Sequence, residues 1–262
     1  MNNNPIGIFD SGVGGTSIWK EIQKLMPNED TLYLADSKNA PYGEKSAGEI
    51  LQLSIKNTEY LLDKGCKIIV VACNTATTNA IDHLRENYRV PFIGIEPAIK
   101  PAALQSRSKT VGILATRGTL SSQLFYSTSE NHAKGIKIIE QEGEGLVALI
   151  EQGKIASKEI QNLLRTYLKP MLDEGIDYLV LGCTHYPYLI PVLKELLPAN
   201  VQIIDSGEAV ARQTKAILFK NDLIDPSKKL GKHKLYTNVD VYVLKDLLKD
   251  SKVSYTIEQL DF

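Results

Sequence analysis

The sequence contains little cysteine and no excess of either charge. Three cysteines among 262 residues are an odd and sparse set, unlike the paired cysteines of a secreted, disulfide-stabilised domain. With 30 basic and 31 acidic residues the formal net charge is −1, so we expect no nucleic-acid or membrane partner, because both usually require a basic excess. No apolar run approaches the roughly 20 residues that span a bilayer, and residues 1–10 lack the basic start and long apolar core of a signal peptide. We therefore expect a soluble, cytoplasmic α/β enzyme or binding protein.

Short apolar, β-branched runs alternate along the chain with segments of helical periodicity. Residues 68–71 and 179–181 are apolar at every position, which is typical of parallel strands covered by helices on both faces. The alternation predicts a doubly wound α/β architecture. The predicted strands are Ile6–Asp10, Leu32–Asp36, Lys67–Ala72, Pro91–Ile95, Val111–Ala115, Ile136–Gln141, Tyr178–Gly182 and Val201–Asp205. The predicted helices are Thr16–Met26, Ser46–Lys64, Thr75–Tyr88, Ser121–Ala133, Ser157–Glu174 and Leu189–Leu197.

Two stretches of the first half are echoed in the second. Gly7–Gly12 resembles Gly112–Gly118, and Val70–Thr75 resembles Val180–His185 at nearly the same separation. The echo predicts two similar α/β lobes. We place their boundary near Pro97, because proline forces the preceding residue out of helical geometry. We expect residues 1–96 plus 207–262 to form the first lobe and residues 97–206 the second, since the tail continues the helix and strand pattern.

Four polar clusters follow predicted strands, at the edge where open α/β sheets bind their ligands. They are Asp10–Gly15, Asp36 with Asn39–Gly43, Cys73–Thr75 and Cys183–His185. The first of them matches a dinucleotide motif only at Gly12 and Gly14, since Ser17 holds the third glycine position, and no phosphate-loop lysine follows. Glycines before a helix N-terminus still let backbone N–H groups approach an anion. We therefore expect either a substrate carboxylate there or a tight turn without a ligand.

Cys73 and Cys183 each end an apolar strand and each precede a predicted helix. That position lowers a thiol pKa towards the thiolate form. A buried cysteine is otherwise an inert hydrophobic residue, and we assign Cys66 to that class because no Asn-Thr or Thr-His follows it. Zinc is disfavoured by the absence of a C-x-x-C pair, whereas a redox disulfide stays open and needs the sulfurs about 2 Å apart.

Equivalent cysteines in two facing lobes suit the inversion of a carbon stereocentre, which needs a base on one face and an acid on the other. Removing a proton beside a carboxylate also requires carbanion stabilisation and exclusion of water. Asp10 and His185 are candidates to tune one thiol each. The alternatives are that Asp10 only caps its loop and that His185 is a structural histidine.

Together, four motifs resemble the glutamate racemases of the aspartate/glutamate racemase superfamily, from Ile6 to about Gln213. The motifs are Gly7–Gly15, Pro41–Gly43, Val71–Ala76 and Leu181–Pro187. The resemblance implies two α/β lobes facing across a cleft, and interconversion of L- and D-glutamate without pyridoxal phosphate or metal, supplying D-glutamate for peptidoglycan. It implies that Cys73 and Cys183 carry the proton, the first from D-glutamate and the second from L-glutamate, and that the protein forms a homodimer. The substrate contacts that it implies are Asp10, Ser11, Tyr42, Gly43, Asn74, Thr75, Thr184 and His185.

The sequence departs from the family pattern in two loops. Asn39 holds the place of an arginine that usually precedes Pro-Tyr-Gly, and Glu142–Gly145 replaces a common Ala-Cys-Pro. Glu151 matches the family's auxiliary acid. Three alternatives stay open: an aspartate racemase, an amino-acid-binding protein that has lost catalysis, and a hydrolase or decarboxylase with one nucleophilic cysteine. The two cysteines disfavour the last two.

Overall fold

Two parallel β-sheets with helices packed against them form the framework of the protein. The computed structural model describes residues 4–132, 135–227 and 229–262. Within those ranges the strands are β1 (Ile6–Asp10), β2 (Thr31–Ala35), β3 (Ile68–Val71), β4 (Phe92–Ile93), β5 (Thr110–Ala115), β6 (Lys137–Glu142), β7 (Tyr178–Gly182), β8 (Gln202–Ile204), β9 (His233–Thr237) and β10 (Tyr255–Gln259). Every strand pair is parallel. The predicted α/β class with two parallel-sheet lobes is confirmed.

The helices lie between consecutive strands and on the faces of the sheets. They are α1 (Thr16–Leu25), α2 (Ala47–Asp63), α3 (Asn74–Asn87), α4 (Ile99–Gln105), α5 (Arg117–Leu120), α6 (Gln123–His132), α7 (Leu146–Glu151), α8 (Lys158–Asp173), α9 (Ile190–Leu196), α10 (Gly207–Lys220) and α11 (Tyr242–Leu248). The predicted helix Ser121–Ala133 runs to His132, and Ala133 lies outside the described residues. None of the helices within the described ranges is both long and apolar enough to cross a bilayer.

The first sheet has the strand order β10-β9-β2-β1-β3-β4, and the second has the order β6-β5-β7-β8. The tail of the chain therefore contributes two strands to the first sheet, and the sequence patterns did not single these strands out. The predicted division into residues 1–96 plus 207–262 and 97–206 stays a prediction. Residues 1–3, 133, 134 and 228, which it includes, lie outside the described part of the chain.

Strand β4 is shorter than predicted, because a side chain, and not a neighbouring strand, accepts the hydrogen bond from the last backbone N–H group of the predicted strand. Thr77 Oγ1 accepts a hydrogen bond from the backbone N–H of Ile95 at 3.1 Å. Gly94 lies so close to α3 that an added Cβ would stand 2.6 Å from Thr77 Cγ2. The chain therefore leaves the sheet after Ile93 instead of continuing to Ile95.

One apolar core joins the two lobes. It includes fully buried side chains of the first lobe, such as Trp19 and Ile22, and of the second, such as Leu164 and Leu189. Helix α1 of the first lobe also packs against α10, which follows the last strand of the second sheet. This shared core holds the carboxyl edges of the two sheets beside each other, and the candidate site lies there.

Candidate active site

Residues from both sheets line one small cleft at the carboxyl ends of the strands. The cleft is lined by Ser11, Pro41, Tyr42, Gly43, Cys73, Asn74, Thr75, Thr116, Val147, Cys183, Thr184 and His185. Its free space is only about 10 Å³, which is about the smallest cavity that can hold one water molecule. The cleft is therefore closed in this structure, with no room for a ligand of amino-acid size.

Cys73 lies at the end of β3 and caps the N-terminus of α3. Its Sγ accepts a hydrogen bond from the backbone N–H of Ala76 at 3.4 Å and donates to Ser11 Oγ at 3.6 Å. Burial raises the pKa of this thiol well above its usual value, the charge of Asp10 raises it further, and the bonds to Ala76 and Ser11 offset only part of that. The predicted lowering of the thiol pKa is therefore wrong for Cys73, because desolvation outweighs the helix N-terminus. Cys73 is a protonated thiol in the closed cleft.

Cys183 begins a hydrogen-bonded chain that the sequence only partly predicted. Its Sγ lies 3.7 Å from Nδ1 of His185, and Nε2 of the same ring lies 2.5 Å from Oε1 of Glu151. Burial alone would lower the pKa of His185, but the bonds to Cys183 and Glu151 raise it well above its usual value. The imidazole can thus take the Cys183 proton and hold it against a carboxylate.

The glycine loop, Asp10–Gly15, receives this chain from the opposite lobe. The backbone N–H of Val13 donates to Glu151 Oε1 at 2.7 Å, and the N–H of Gly14 lies 3.3 Å from His185 Nε2. A ring nitrogen that donates its proton to Glu151 has no lone pair left for Gly14, so the shorter bond to Glu151 is the stronger one. The N–H group of Val13, one of those expected to face an anion, is thus bonded to a side chain of the protein in this structure, and binding of a substrate carboxylate by this loop stays a prediction.

Asp10 accepts hydrogen bonds from two other N–H groups of the same loop. Its Oδ2 accepts from the N–H groups of Gly15 at 2.9 Å and Gly12 at 3.2 Å. Its Oδ1 accepts from Thr184 Oγ1 of the second lobe at 3.2 Å. Burial raises the pKa of this fully buried carboxyl to about 6, against the opposing charge of His185. Asp10 therefore both caps the loop and places a group that titrates near neutral pH beside the cleft.

The Pro-Tyr-Gly loop, Pro41–Gly43, forms another wall of the cleft. The buried Tyr42 hydroxyl donates to Asp36 Oδ2 at 2.5 Å and accepts from Asn57 Nδ2 at 3.1 Å. Burial and the neighbouring Asp36 raise the pKa of Tyr42, so the phenol stays protonated. Gly43 packs against the second lobe, where an added Cβ would stand 3.0 Å from Thr116 Cβ. The tyrosine hydroxyl thus anchors the loop, while Gly43 brings the loop to the opposite lobe.

Two polar side chains of α3 face the cleft from the first lobe. Neither the oxygen nor the nitrogen of the buried Asn74 amide has a hydrogen-bond partner among the described residues, which is a rare state unless a ligand supplies one. Thr75 Oγ1 lies 3.0 Å from Oγ1 of Thr116 in the second lobe. Sequence reasoning missed Thr116 as a site residue, although it follows β5 directly, as Ser11 follows β1.

All three cysteines are free thiols, so the open possibility of a redox disulfide is not realised in this structure. Cys66 is buried beside Gly7, away from the cleft lining. Within the described ranges, no three histidine, cysteine or carboxylate side chains are grouped so that they could hold a metal ion.

Comparison with known protein families gives an independent view of this site. A family model described as Asp/Glu/Hydantoin racemase matches residues 15–214, more than half of the chain. A glutamate racemase from Ectopseudomonas mendocina is 49% identical over 221 residues, which are 84% of this chain and 84% of that protein.

Solved structures agree with the sequence relatives. The crystal structure of glutamate racemase from Francisella tularensis in complex with D-glutamate has a TM-score of 0.84 and 28% sequence identity, with 100% of this chain and 98% of that chain covered. The structure of Escherichia coli glutamate racemase with L-glutamate and the activator UDP-MurNAc-Ala has a TM-score of 0.86 and 32% identity, with 98% of each chain covered.

Proposed function

The chain belongs to the Asp/Glu/hydantoin racemase family, and from this premise we propose that it interconverts L- and D-glutamate with Cys73 and Cys183 as the two acid–base groups. The observation that carries the proposal is the pair of thiols from opposite lobes on one closed cleft. The family resemblance drawn from the four sequence motifs is confirmed, while the roles of individual residues are part of the proposal.

The reaction needs one base and one acid on opposite faces of the α-carbon. In the L-to-D direction Cys183 is the base: its own proton first passes to His185, and the thiolate then takes the α-proton of L-glutamate. The electron pair left on the α-carbon spreads into the substrate carboxylate, and the Cys73 S–H delivers its proton to the other face. The reverse direction exchanges the two roles.

The resting protonation state supports this assignment. Burial keeps Cys73 a thiol, ready to act as the acid, and the raised pKa of His185 favours the imidazolium, which holds the proton that came from Cys183. After one L-to-D turnover Cys183 is protonated and Cys73 is a thiolate, so the enzyme is then set for D-glutamate. No cofactor takes part in the proposed steps.

Substrate recognition falls to polar side chains that line the cleft. The unpartnered Asn74 amide supplies a donor and an acceptor. The hydroxyl groups assigned to substrate contact are those of Ser11, Thr75 and Thr184. Both thiols are buried, which favours exclusion of water around the carbanion, a requirement of this chemistry.

The cellular role that the resemblance implies is supply of D-glutamate for peptidoglycan, and it is part of the same proposal. A homodimer and a cytoplasmic location stay predictions. Aspartate, one methylene shorter, is the competing substrate, because a methylene contributes only about 1–3 kcal/mol of discrimination in a pocket.

The test follows the α-proton of each enantiomer of glutamate and of aspartate by NMR in D2O, without added cofactor. We expect wild type to exchange and invert both glutamate enantiomers, and Cys73→Ala and Cys183→Ala each to lose inversion. Cys66→Ala is the matched control, because the same substitution there removes a thiol away from the cleft, and it should invert glutamate as wild type does.

Each other outcome is informative. Exchange of aspartate but not glutamate would keep the family and change the substrate. Inversion that survives loss of either Cys73 or Cys183 would exclude the two-thiol mechanism. Absence of exchange with both amino acids would reject the racemase proposal and favour a binding protein.

A further inference from the structure

Asp36 lies just past the end of β2 and accepts three side-chain hydrogen bonds. Its Oδ2 accepts from the Tyr42 hydroxyl at 2.5 Å. Its Oδ1 accepts from the amide nitrogens of Asn238 at 2.6 Å and Asn39 at 2.8 Å. The carboxylate is almost fully buried, so these donors decide where it sits. Asn39, one of these donors, holds the place of the arginine that the family usually carries before Pro-Tyr-Gly.

Asn238 comes from the tail of the chain, about 200 residues away in sequence. It follows β9, which pairs with β2 in parallel so that Thr237 stands opposite Ala35. Asn238 and Asp36 are therefore the next residues past the same edge of the sheet. The Asn238 side chain holds the turn at two points, because its Nδ2 donates to Asp36 and its Oδ1 accepts from the backbone N–H of Lys38 at 2.8 Å.

The turn that Asn238 holds leads directly into the cleft. Residues 37–39 form a short helical turn after Asp36, and the Pro-Tyr-Gly loop follows it. The same carboxylate that Asn238 binds holds the Tyr42 hydroxyl. Gly43, the next residue, packs against Thr116 of the opposite lobe. A continuous series of contacts therefore runs from Asn238 through Asp36 and Tyr42 to the cleft wall.

We propose that Asn238 is a positioning residue of the racemase, which from the tail fixes the Pro-Tyr-Gly loop through Asp36 and Lys38. The proposal rests on the proposed function. Only an amide suits this position: its nitrogen donates to a carboxylate while its oxygen accepts from an N–H group. Alanine removes both bonds, and aspartate replaces the donor by a second negative charge beside Asp36.

The first experiment compares Asn238→Ala with Asn221→Ala. Asn221 also lies in the tail, and its amide bonds only the backbone of Ile217 at the exposed end of α10. We expect Asn238→Ala to raise KM for both enantiomers and to lower kcat/KM roughly tenfold, because a misplaced cleft wall weakens binding and alignment. Asn221→Ala should keep wild-type kinetics. Thermal melting of both variants reports any loss of stability separately.

The second experiment uses charge. Asn238→Asp should lower kcat/KM more than Asn238→Ala near neutral pH, and its ratio to wild type should recover as the pH falls and one of the two carboxylates takes a proton. The double variant Asp36→Asn/Asn238→Asp has a single carboxylate again, now on residue 238. It can accept from Lys38 and from the new amide, so we expect kcat/KM to exceed that of Asn238→Asp several-fold.

The outcomes separate the two proposals. If wild type racemises glutamate but Asn238→Ala changes only the melting temperature, or the charge exchange restores nothing, the positioning role is wrong and Asn238 serves stability alone. If wild type itself does not exchange the α-proton, the proposed function fails and the positioning role fails with it.

Discussion

The Glu151 carboxylate of the second lobe lies 2.7 Å from the backbone nitrogen of Val13 in the first. The same oxygen lies 2.5 Å from Nε2 of His185, so one carboxylate oxygen connects the glycine loop to the imidazole beside Cys183. The glycines of the loop allow this approach. A Cβ on Gly12 would stand 2.6 Å from Cδ of Glu151, and one on Gly14 would stand 2.5 Å from Cγ of His185. The loop therefore needs glycine for a protein partner rather than for a phosphate.

Gly12→Ala should displace Glu151 and weaken the Cys183 side of the reaction. Because the two enantiomers have equal free energy, kcat/KM must be the same in both directions. We therefore expect inversion to fall equally for both enantiomers, roughly tenfold or more. Exchange of the α-proton for deuterium without inversion is not bound by this equality and can differ between the enantiomers. We expect α-proton exchange in D2O to be lost for L-glutamate and to persist for D-glutamate in the fraction of the enzyme whose Cys73 is a thiolate.

Gly48→Ala is the control for that substitution. Gly48 lies in the exposed first turn of α2, and an added Cβ there has no atom within 4 Å. It should keep wild-type exchange of both enantiomers. Equal loss of exchange for L- and D-glutamate in Gly12→Ala would contradict a selective role of the glycine loop.

Asp10→Asn should stabilise the protein at neutral pH while it lowers racemisation. Burial raises the pKa of Asp10 to about 6 from 3.8, so its ionised form is disfavoured in the folded state. Two pKa units correspond to at most about 3 kcal/mol of destabilisation, present above pH about 6 and absent below about 4, where the carboxyl is neutral in both states.

Denaturant unfolding at a series of pH values measures this effect. The free energy of unfolding of Asp10→Asn should exceed that of wild type near neutral pH, and the difference should close as the pH falls from about 6 to about 4. A difference that does not vary with pH would show that the buried carboxyl is not the source.

Glu151→Gln should reduce the ability of His185 to hold a proton. Without the carboxylate we expect the pKa of His185 to fall, because one of the interactions that raise it is removed. Transfer of the Cys183 proton to the ring is then less favourable, so inversion should fall roughly 10- to 100-fold. The acidic limb of kcat/KM should move to lower pH, because a ring with a lower pKa takes up its proton only at lower pH. Glu159→Gln, on the exposed first turn of α8, is the matched control and should leave the pH profile unchanged. If the acidic limb of kcat/KM stayed at the same pH in Glu151→Gln, Glu151 would have no part in the proton transfer.

Cys66→Ala should cost stability but not activity. Cys66 is buried, and burial raises the pKa of its thiol to about 12, so at neutral pH it is an unreactive hydrophobic group. Its loss from the core should lower the free energy of unfolding by roughly 1 kcal/mol, which denaturant titration measures. Loss of inversion at unchanged stability would give this cysteine a role that the site does not assign it.

Strands with continuous apolar runs could be predicted from the sequence, and the two strands of the tail, β9 and β10, could not. The predicted bounds of β1 and β7 match the structure, because continuous apolar runs have no competing explanation. β9 contains His233 and Lys234 and alternates buried with exposed positions, and β10 is largely exposed. β9 forms by pairing with β2, about 200 residues away in sequence, and β10 then adds to the outer edge of β9. A local pattern does not report the pairing of β9 with β2.

The site residues divide in the same way, into those with a local sequence signal and those without one. The cysteines could be found because each stands between an apolar strand and a helix start, a signal visible in one stretch of sequence. Thr116 carries the same signal after β5 but lacks a chemically distinctive side chain. Asn238 has no local signal, because its partner Asp36 becomes its neighbour only when β9 joins β2. Burial of Cys73, which raises its pKa, likewise depends on both lobes.

The strand order of the first sheet also sets a sequence of events at the ribosome. Strands β9 and β10 are synthesised after every strand of the second sheet, although β9 covers the edge of β2 near the start of the chain. During translation the second sheet can therefore be finished while β2 still has an unpaired edge, which is a surface on which nascent chains associate with one another. Slower translation of codons 233–262 would lengthen that exposure, so we expect the rate of translation there to affect the yield of folded protein.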